Sequence, residues 1–66
     1  MSKIVILKEK RPFSFKNTFT WFDVGTEFEV LEEKELPMMG LGYKIRDVRF
    51  GCVMDGWNTA KDFIDK

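Results

Sequence analysis

The 66-residue chain contains no histidine, and its one cysteine is Cys52. Without an imidazole there is no Ser-His or Cys-His nucleophile and no histidine base. A single thiol cannot pair within the chain or build a zinc site. Ser14 and Cys52 have no evident activator in the sequence. The pair Gly40-Leu41-Gly42 lacks the third glycine and the suitably spaced lysine of a phosphate-cradling loop. Glu27 and Glu29 read as the solvated face of a strand rather than as an acid-base pair. These absences predict a chain with no catalytic residues, no metal and no cofactor, and so not an enzyme. Cys52 itself reads as a small apolar residue in a strand.

Long apolar runs are missing too. Ile4-Val5-Ile6-Leu7 stops at Lys8-Glu9-Lys10-Arg11, too short for a signal-peptide core or a membrane span. A free cysteine without an export signal predicts a cytoplasmic protein that does not engage a membrane.

What the chain has in quantity is aromatic: seven Phe, two Trp and one Tyr. A chain this short buries only about 60% of its unfolded surface. Each ring can bury roughly 150–250 Å², so a handful of them supplies a core without disulfide or metal. Residues 1–66 are expected to form a single small domain.

The pattern is that of a mainly β protein. Residues 3–8 are a β-branched run that does not alternate, which predicts an interior strand. Pro12 interrupts. Phe13, Phe15, Phe19 and Trp21 then fall at even spacings around Lys16-Asn17-Thr18, predicting two extended arms joined at a polar tip. Gly25 ends that unit, and Phe28 and Val30 alternate with Glu27 and Glu29 in a strand over residues 26–33. Residues 36–42, with one proline and two glycines, predict a loop. Tyr43 and Ile45 alternate with Lys44 and Arg46, a turn is expected at Asp47-Val48-Arg49, and Phe50, Cys52 and Met54 predict a further strand. Near the end, Thr59-Ala60-Lys61-Asp62 matches a capping signature. A single helical turn followed by a strand at Phe63-Ile64 is the preferred reading; a terminal helix docked by Trp57, Ala60, Phe63 and Ile64 is the other.

This arrangement resembles the SH3-like small β-barrel. In that family a long loop after the first strand ends in an aromatic-x-x-Gly turn, as Phe22-Asp23-Val24-Gly25 does here. A strand written hydrophobic-x-Val follows, matched by Phe28-Glu29-Val30. The third and fourth family strands form a tight hairpin, and the fold closes with a one-turn 3₁₀ helix, then an aromatic and an aliphatic residue, similar to Ala60–Ile64. The resemblance implies a single five-stranded, partly open barrel with a short helical turn near its C-terminus. Peptide-binding members carry acidic residues in the first loop and a proline in the final turn. Here that loop is basic and Ala60 stands near the proline position. Free-standing barrels of this size include phage-encoded accessory proteins, some of which inhibit a host or defence enzyme, so the resemblance also implies a viral or accessory protein-binding role.

Net charge is zero but unevenly spread. Lys3, Lys8, Lys10, Arg11 and Lys16 outweigh Glu9 in residues 1–22, whereas residues 23–36 hold six carboxylates against Lys34. Such polarity can steer a charged partner, or it can place the basic loop against the acidic strand.

Binding to another protein is therefore the expected function. Adjacent Trp21 and Phe22 cannot both point inward from a regular strand, and Trp, Tyr and Met are typical of contact surfaces. Phe19, Trp21, Phe22, Met38, Met39, Tyr43 and Trp57 are the candidate partner-binding residues; the competing reading is that the rings cap the barrel ends and the methionines plug its base. Self-association into a homo-oligomer is a variant of this reading. The alternative function is single-stranded nucleic-acid binding through loop 8–19, where Lys8, Lys10, Arg11 and Lys16 interleave with Phe13, Phe15 and Phe19. A pI near 6.2 weighs against nucleic acid as the partner. A third possibility is an aromatic cage for a methylated cation, built from Trp21, Phe22, Tyr43 and Trp57.

Overall fold

The computed structural model describes residues 3–66. It is mainly β, with no α-helix among the described residues. Strands β1 (Lys3–Leu7), β4 (Glu27–Leu36), β5 (Gly40–Asp47), β6 (Asn58–Thr59) and β7 (Phe63–Asp65) form one antiparallel sheet, and β2 (Arg11–Phe15) and β3 (Thr18–Phe22) pair only with each other. The sheet order is β6-β5-β4-β1-β7, and it curls into a half-barrel. As its unbroken apolar run requires, β1 is interior, between β4 and β7.

The core is Val5, Leu7, Phe13, Phe28, Val30, Tyr43, Ile45, Met54 and Phe63. Phe28 is its centre: its ring lies 5.3 Å from those of Phe13 and Phe22 and 5.7 Å from Phe63. The alternation in β4 holds only as far as Val30. A register shift between Val30 and Glu32 bulges the strand at Leu31, and residues 31–35 beyond it are exposed. One extra residue reverses which side chains face inward, so β4 runs past its expected end as an arm that leaves the core.

Gly25 works through its backbone. At φ +90° it occupies a conformation that side chains disfavour, and nothing lies within 4 Å of where a Cβ would stand. This lets its N–H donate to Leu7 O at 2.9 Å while Leu7 N donates to Thr26 O at 2.9 Å. The corner thus continues the β1–β4 pairing.

The β2–β3 ribbon turns at Lys16 and Asn17, both left-handed (φ 50° and 64°), the two-residue turn that matches strand twist. Its register pairs Phe15 with Thr18, Phe13 with Thr20 and Pro12 with Trp21. Pairs flanking such a turn exchange hydrogen bonds, and alternate pairs do not. Pro12 therefore falls at a non-bonded pair, and its missing N–H would have pointed away from β3. Rather than interrupting the chain, it lies within β2. Ser14, also at a non-bonded pair, turns its carbonyl outward to accept from Asp55 N at 2.7 Å.

Asp55 fastens the ribbon tip. Its carboxylate accepts from Asn17 N and Ser14 Oγ, each at 2.9 Å. These donors, the Asn17 amide foremost, hold its pKa below the ordinary 3.8. The stabilisation is present above the unfolded-state pKa and is lost as pH falls through the lowered folded value. Asp55→Asn is expected to flatten the acid limb of a stability–pH curve between about pH 2 and pH 5; chemical-denaturation midpoints measured across that range check this, and an unchanged acid limb contradicts it.

Two expected elements differ. No strand forms over residues 50–54: Val53 makes a single bridge to Arg46, and the fourth strand's place beside β5 is taken by Asn58–Thr59. The cause is local. The Asp47 carboxylate accepts Phe50 N at 2.6 Å, and Gly51 at φ +75° donates to Asp47 O at 2.8 Å, closing a tight turn that leaves Phe50 outside. Nor is 36–42 a long loop. Met39 N donates to Leu36 O at 3.3 Å across Pro37 and Met38, so a short turn joins β4 to β5, and Gly40 and Gly42 belong to β5.

The C-terminal segment takes the preferred form, a 3₁₀ turn at Ala60–Asp62 followed by β7. Thr59 Oγ1 accepts from Lys61 N at 3.4 Å. Asp62 does not complete the capping box; it pairs with Arg11 instead.

Candidate functional site

A cleft of about 530 Å³ opens between the β2–β3 ribbon and the 47–54 segment. Phe15, Phe22, Cys52 and Met54 line it from the core side, and Val48 and Phe50 flank it. Phe50 is 72% exposed and Trp21, at the opposite rim, is 62% exposed. Its charged lining is mostly acidic, Asp23, Glu27 and Asp47 against Arg49, with Thr20 and Thr26 beside them. Asp47 is buried and committed to the turn, Glu27 pairs with Lys66 at 3.1 Å, and the Arg49 guanidinium stacks 5.1 Å over Phe50. What remains is an apolar floor with solvent-exposed rings beside it.

The sequence-derived partner residues are dispersed. Trp21 and Phe22 reach this cleft, and they divide as strand geometry demands: Trp21 outward, Phe22 against Phe13 and Phe28. Phe19, 74% exposed, lies on the ribbon's outer face. Met38 and Met39 sit at the β4–β5 turn, Met38 fully exposed and in the left-handed region at φ 62°. Both are exposed, so the methionines do not plug the base.

Tyr43 is a core residue, 4% exposed, and is removed from the contact set. It fills the interior, its ring 6.2 Å from that of Phe63. Its hydroxyl accepts from Lys3 Nζ at 2.8 Å, which raises the pKa of Lys3. Trp57 is half-buried with Lys34 Nζ 5.0 Å from its ring centroid. With Tyr43 inside and Trp57 away from the cleft, two of the four proposed cage rings, Trp21 and Phe22, line it, one short of a cage.

The basic set separates as well. Lys8, Lys10 and Arg11 gather with Lys61 around a second cleft of about 290 Å³, whereas Lys16 sits at the ribbon tip over Phe15. Arg11 is held by Asp62 and lies 5.0 Å over Phe13. Phe13 is buried and Phe15 is packed against the core, leaving Phe19 as the exposed ring of that loop. The acidic strand is neutralised from elsewhere: Glu29 by Arg46, Glu27 by Lys66, and Glu33 by Lys3 at 4.0 Å.

No family model matches this chain, and no curated protein or solved structure matches it significantly. The site stands on its own geometry.

Sequence reasoning missed Val48 and Phe50. The alternation of Phe50, Cys52 and Met54 predicts a turn at Val48 and a strand with Phe50 on its core face. The signal was present in Asp47 followed four residues later by Gly51, a side-chain acceptor and a left-handed residue spaced to fold a turn on themselves. Among the described residues, no helix is long and apolar enough to cross a membrane.

Proposed function

We propose that this chain is a non-catalytic interaction module of SH3-like architecture that binds an apolar segment of another protein in the cleft between the β2–β3 ribbon and the 47–54 segment. The observation that carries this reading is the apolar floor of Phe15, Cys52 and Met54, flanked by a Phe50 ring left 72% in water. Exposing a ring that size forgoes burial in a domain short of core, and aromatic anchors at a recess are where binding energy concentrates. The SH3-like reading is supported by the long ribbon after β1, the Phe22–Gly25 corner, and the 3₁₀ turn before β7. The third–fourth strand hairpin of that family is reduced here to one bridge. A small accessory or inhibitor protein, of phage type and cytoplasmic, that blocks a host or defence enzyme needs only such a contact surface.

Nucleic-acid binding is less well supported, because loop 8–19 keeps one exposed ring for stacking and Lys16 lies apart from the other cations. The test is affinity purification from a lysate of the source cells with immobilised wild-type chain, Phe50→Ala and a Lys8→Glu/Lys10→Glu double variant. A protein retained by the wild type and by the lysine variant, but weakened about thirtyfold by Phe50→Ala, is the expected result; that is a hot-spot loss of ~2 kcal/mol. Melting temperature should not move, since Phe50 is outside the core. Retention that survives Phe50→Ala but fails with the lysine variant, or a steeply salt-dependent affinity for single-stranded oligonucleotides, overturns it.

A further inference from the structure

β3 has an unusual edge. Thr18-Phe19-Thr20-Trp21-Phe22 contains no charge, no proline and no bulge, and its first four residues are exposed. Such an edge is a template for another strand, and proteins ordinarily guard it. The other free edges among the described residues are guarded. β4 beyond its bulge carries Glu32, Glu33, Lys34 and Glu35; β6 is two residues long; β7 bears Asp65, paired with Lys3 at 3.4 Å; and β2 is engaged by Asp55 at Ser14.

The ribbon register says which groups face that edge. Thr18, Thr20 and Phe22 direct their N–H and C=O groups to β2, so Phe19 and Trp21 direct theirs outward. We propose that a second copy of this chain pairs antiparallel along β3, about a two-fold axis through Thr20, joining two ribbons into a four-stranded sheet.

Three features make the edge complementary to itself. An axis at Thr20 sets Phe19 of one copy opposite Trp21 of the other, twice, as hydrogen-bonded pairs whose outward groups are the ones left free in the single chain. The rings of Phe19 and Trp21, 74% and 62% exposed, then lie on the same outer face as cross-strand aromatic pairs. The same register brings the Lys16 tip of each copy beside Asp23 of the other, whereas a parallel pairing would set like on like. Four such rings can cover at most roughly 600–1,000 Å², below the ~1,200 Å² of a standard stable interface. The dimer is therefore weak.

The inference concerns the isolated chain, and because Thr20 and Trp21 also line the cleft, it is tested on the chain alone. Thr20 is exposed and lies on the axis, so substitutions there set like charges face to face at the seam. Sedimentation equilibrium from micromolar to millimolar concentration is expected to show the wild type passing from monomer to dimer. Thr20→Lys and Thr20→Glu, each alone, should weaken this roughly a hundredfold, and an equimolar mixture of the two should restore association. Amide exchange at Phe19 and Trp21 should slow with wild-type concentration. A wild type still monomeric on the order of 1 mM, or a dimer that both variants retain, overturns the proposal. Amide spectra of each variant, matching the wild type outside β3, show that the fold is intact.

Discussion

Phe28→Ala is expected to leave the chain unfolded at room temperature. Its side chain is fully buried, and its ring touches three others, from β2, β3 and β7. It is one of the residues through which the β2–β3 ribbon and the curled sheet share one core. Truncating a buried phenylalanine costs about 3–5 kcal/mol, because the cavity adds to the lost transfer energy. A core in a chain this short supplies little more than ~3–5 kcal/mol in total. Loss of near-ultraviolet circular dichroism and collapse of amide dispersion are the expected readouts. A cooperative melt displaced by only a few degrees would mean that neighbouring rings close the cavity.

Phe13→Ala is expected to cost a comparable ~3–5 kcal/mol, but with a different spatial signature. Phe13 is the fully buried ring that the ribbon contributes, 5.9 Å from Phe63 and 5.8 Å from Phe22. No strand of the main sheet pairs with β2 or β3, so the ribbon is attached by side chains, by Arg11 to Asp62, and by Asp55 at its tip. Such a unit can open while its neighbours stay folded. At low temperature, where some fold survives, hydrogen exchange should show amides in 11–22 losing protection before those in β1 and β4. Since the ribbon forms one wall of the cleft, partner binding should disappear with it. Uniform loss of protection across both sheets would instead show that ribbon and sheet fold as one unit.

Much of the architecture was legible in short-range chemistry. The β-branched residues 4–6 specify an interior strand, and β1 is paired on both edges, by β4 and β7. Phe28 and Val30 face inward and Glu27 and Glu29 outward because a pleated strand alternates. Lys16-Asn17 specifies a tight ribbon turn, and Thr59 the start of the 3₁₀ turn. The pair Trp21-Phe22 divided into one exposed and one packed ring for the same geometric reason. Legibility failed where a hydrogen bond outranked periodicity. Phe50, Cys52 and Met54 alternate as a strand would, yet the Asp47 carboxylate captures Phe50 N and folds the segment into a turn. The residue type of Tyr43 predicts a contact surface, yet its ring lies in the core.

By itself the sequence determined the class of object: a small β domain with an aromatic core, a glycine corner at residue 25, and neither imidazole nor a paired thiol for chemistry. Those properties follow from composition and from contacts between residues a few positions apart. Only the tertiary structure decided which rings stay in water, that the basic residues divide between two places, and that the 47–54 segment faces the ribbon across a cleft. These depend on how a separate two-stranded ribbon packs over a curled sheet. Burial is a property of the closed surface, which no local pattern records.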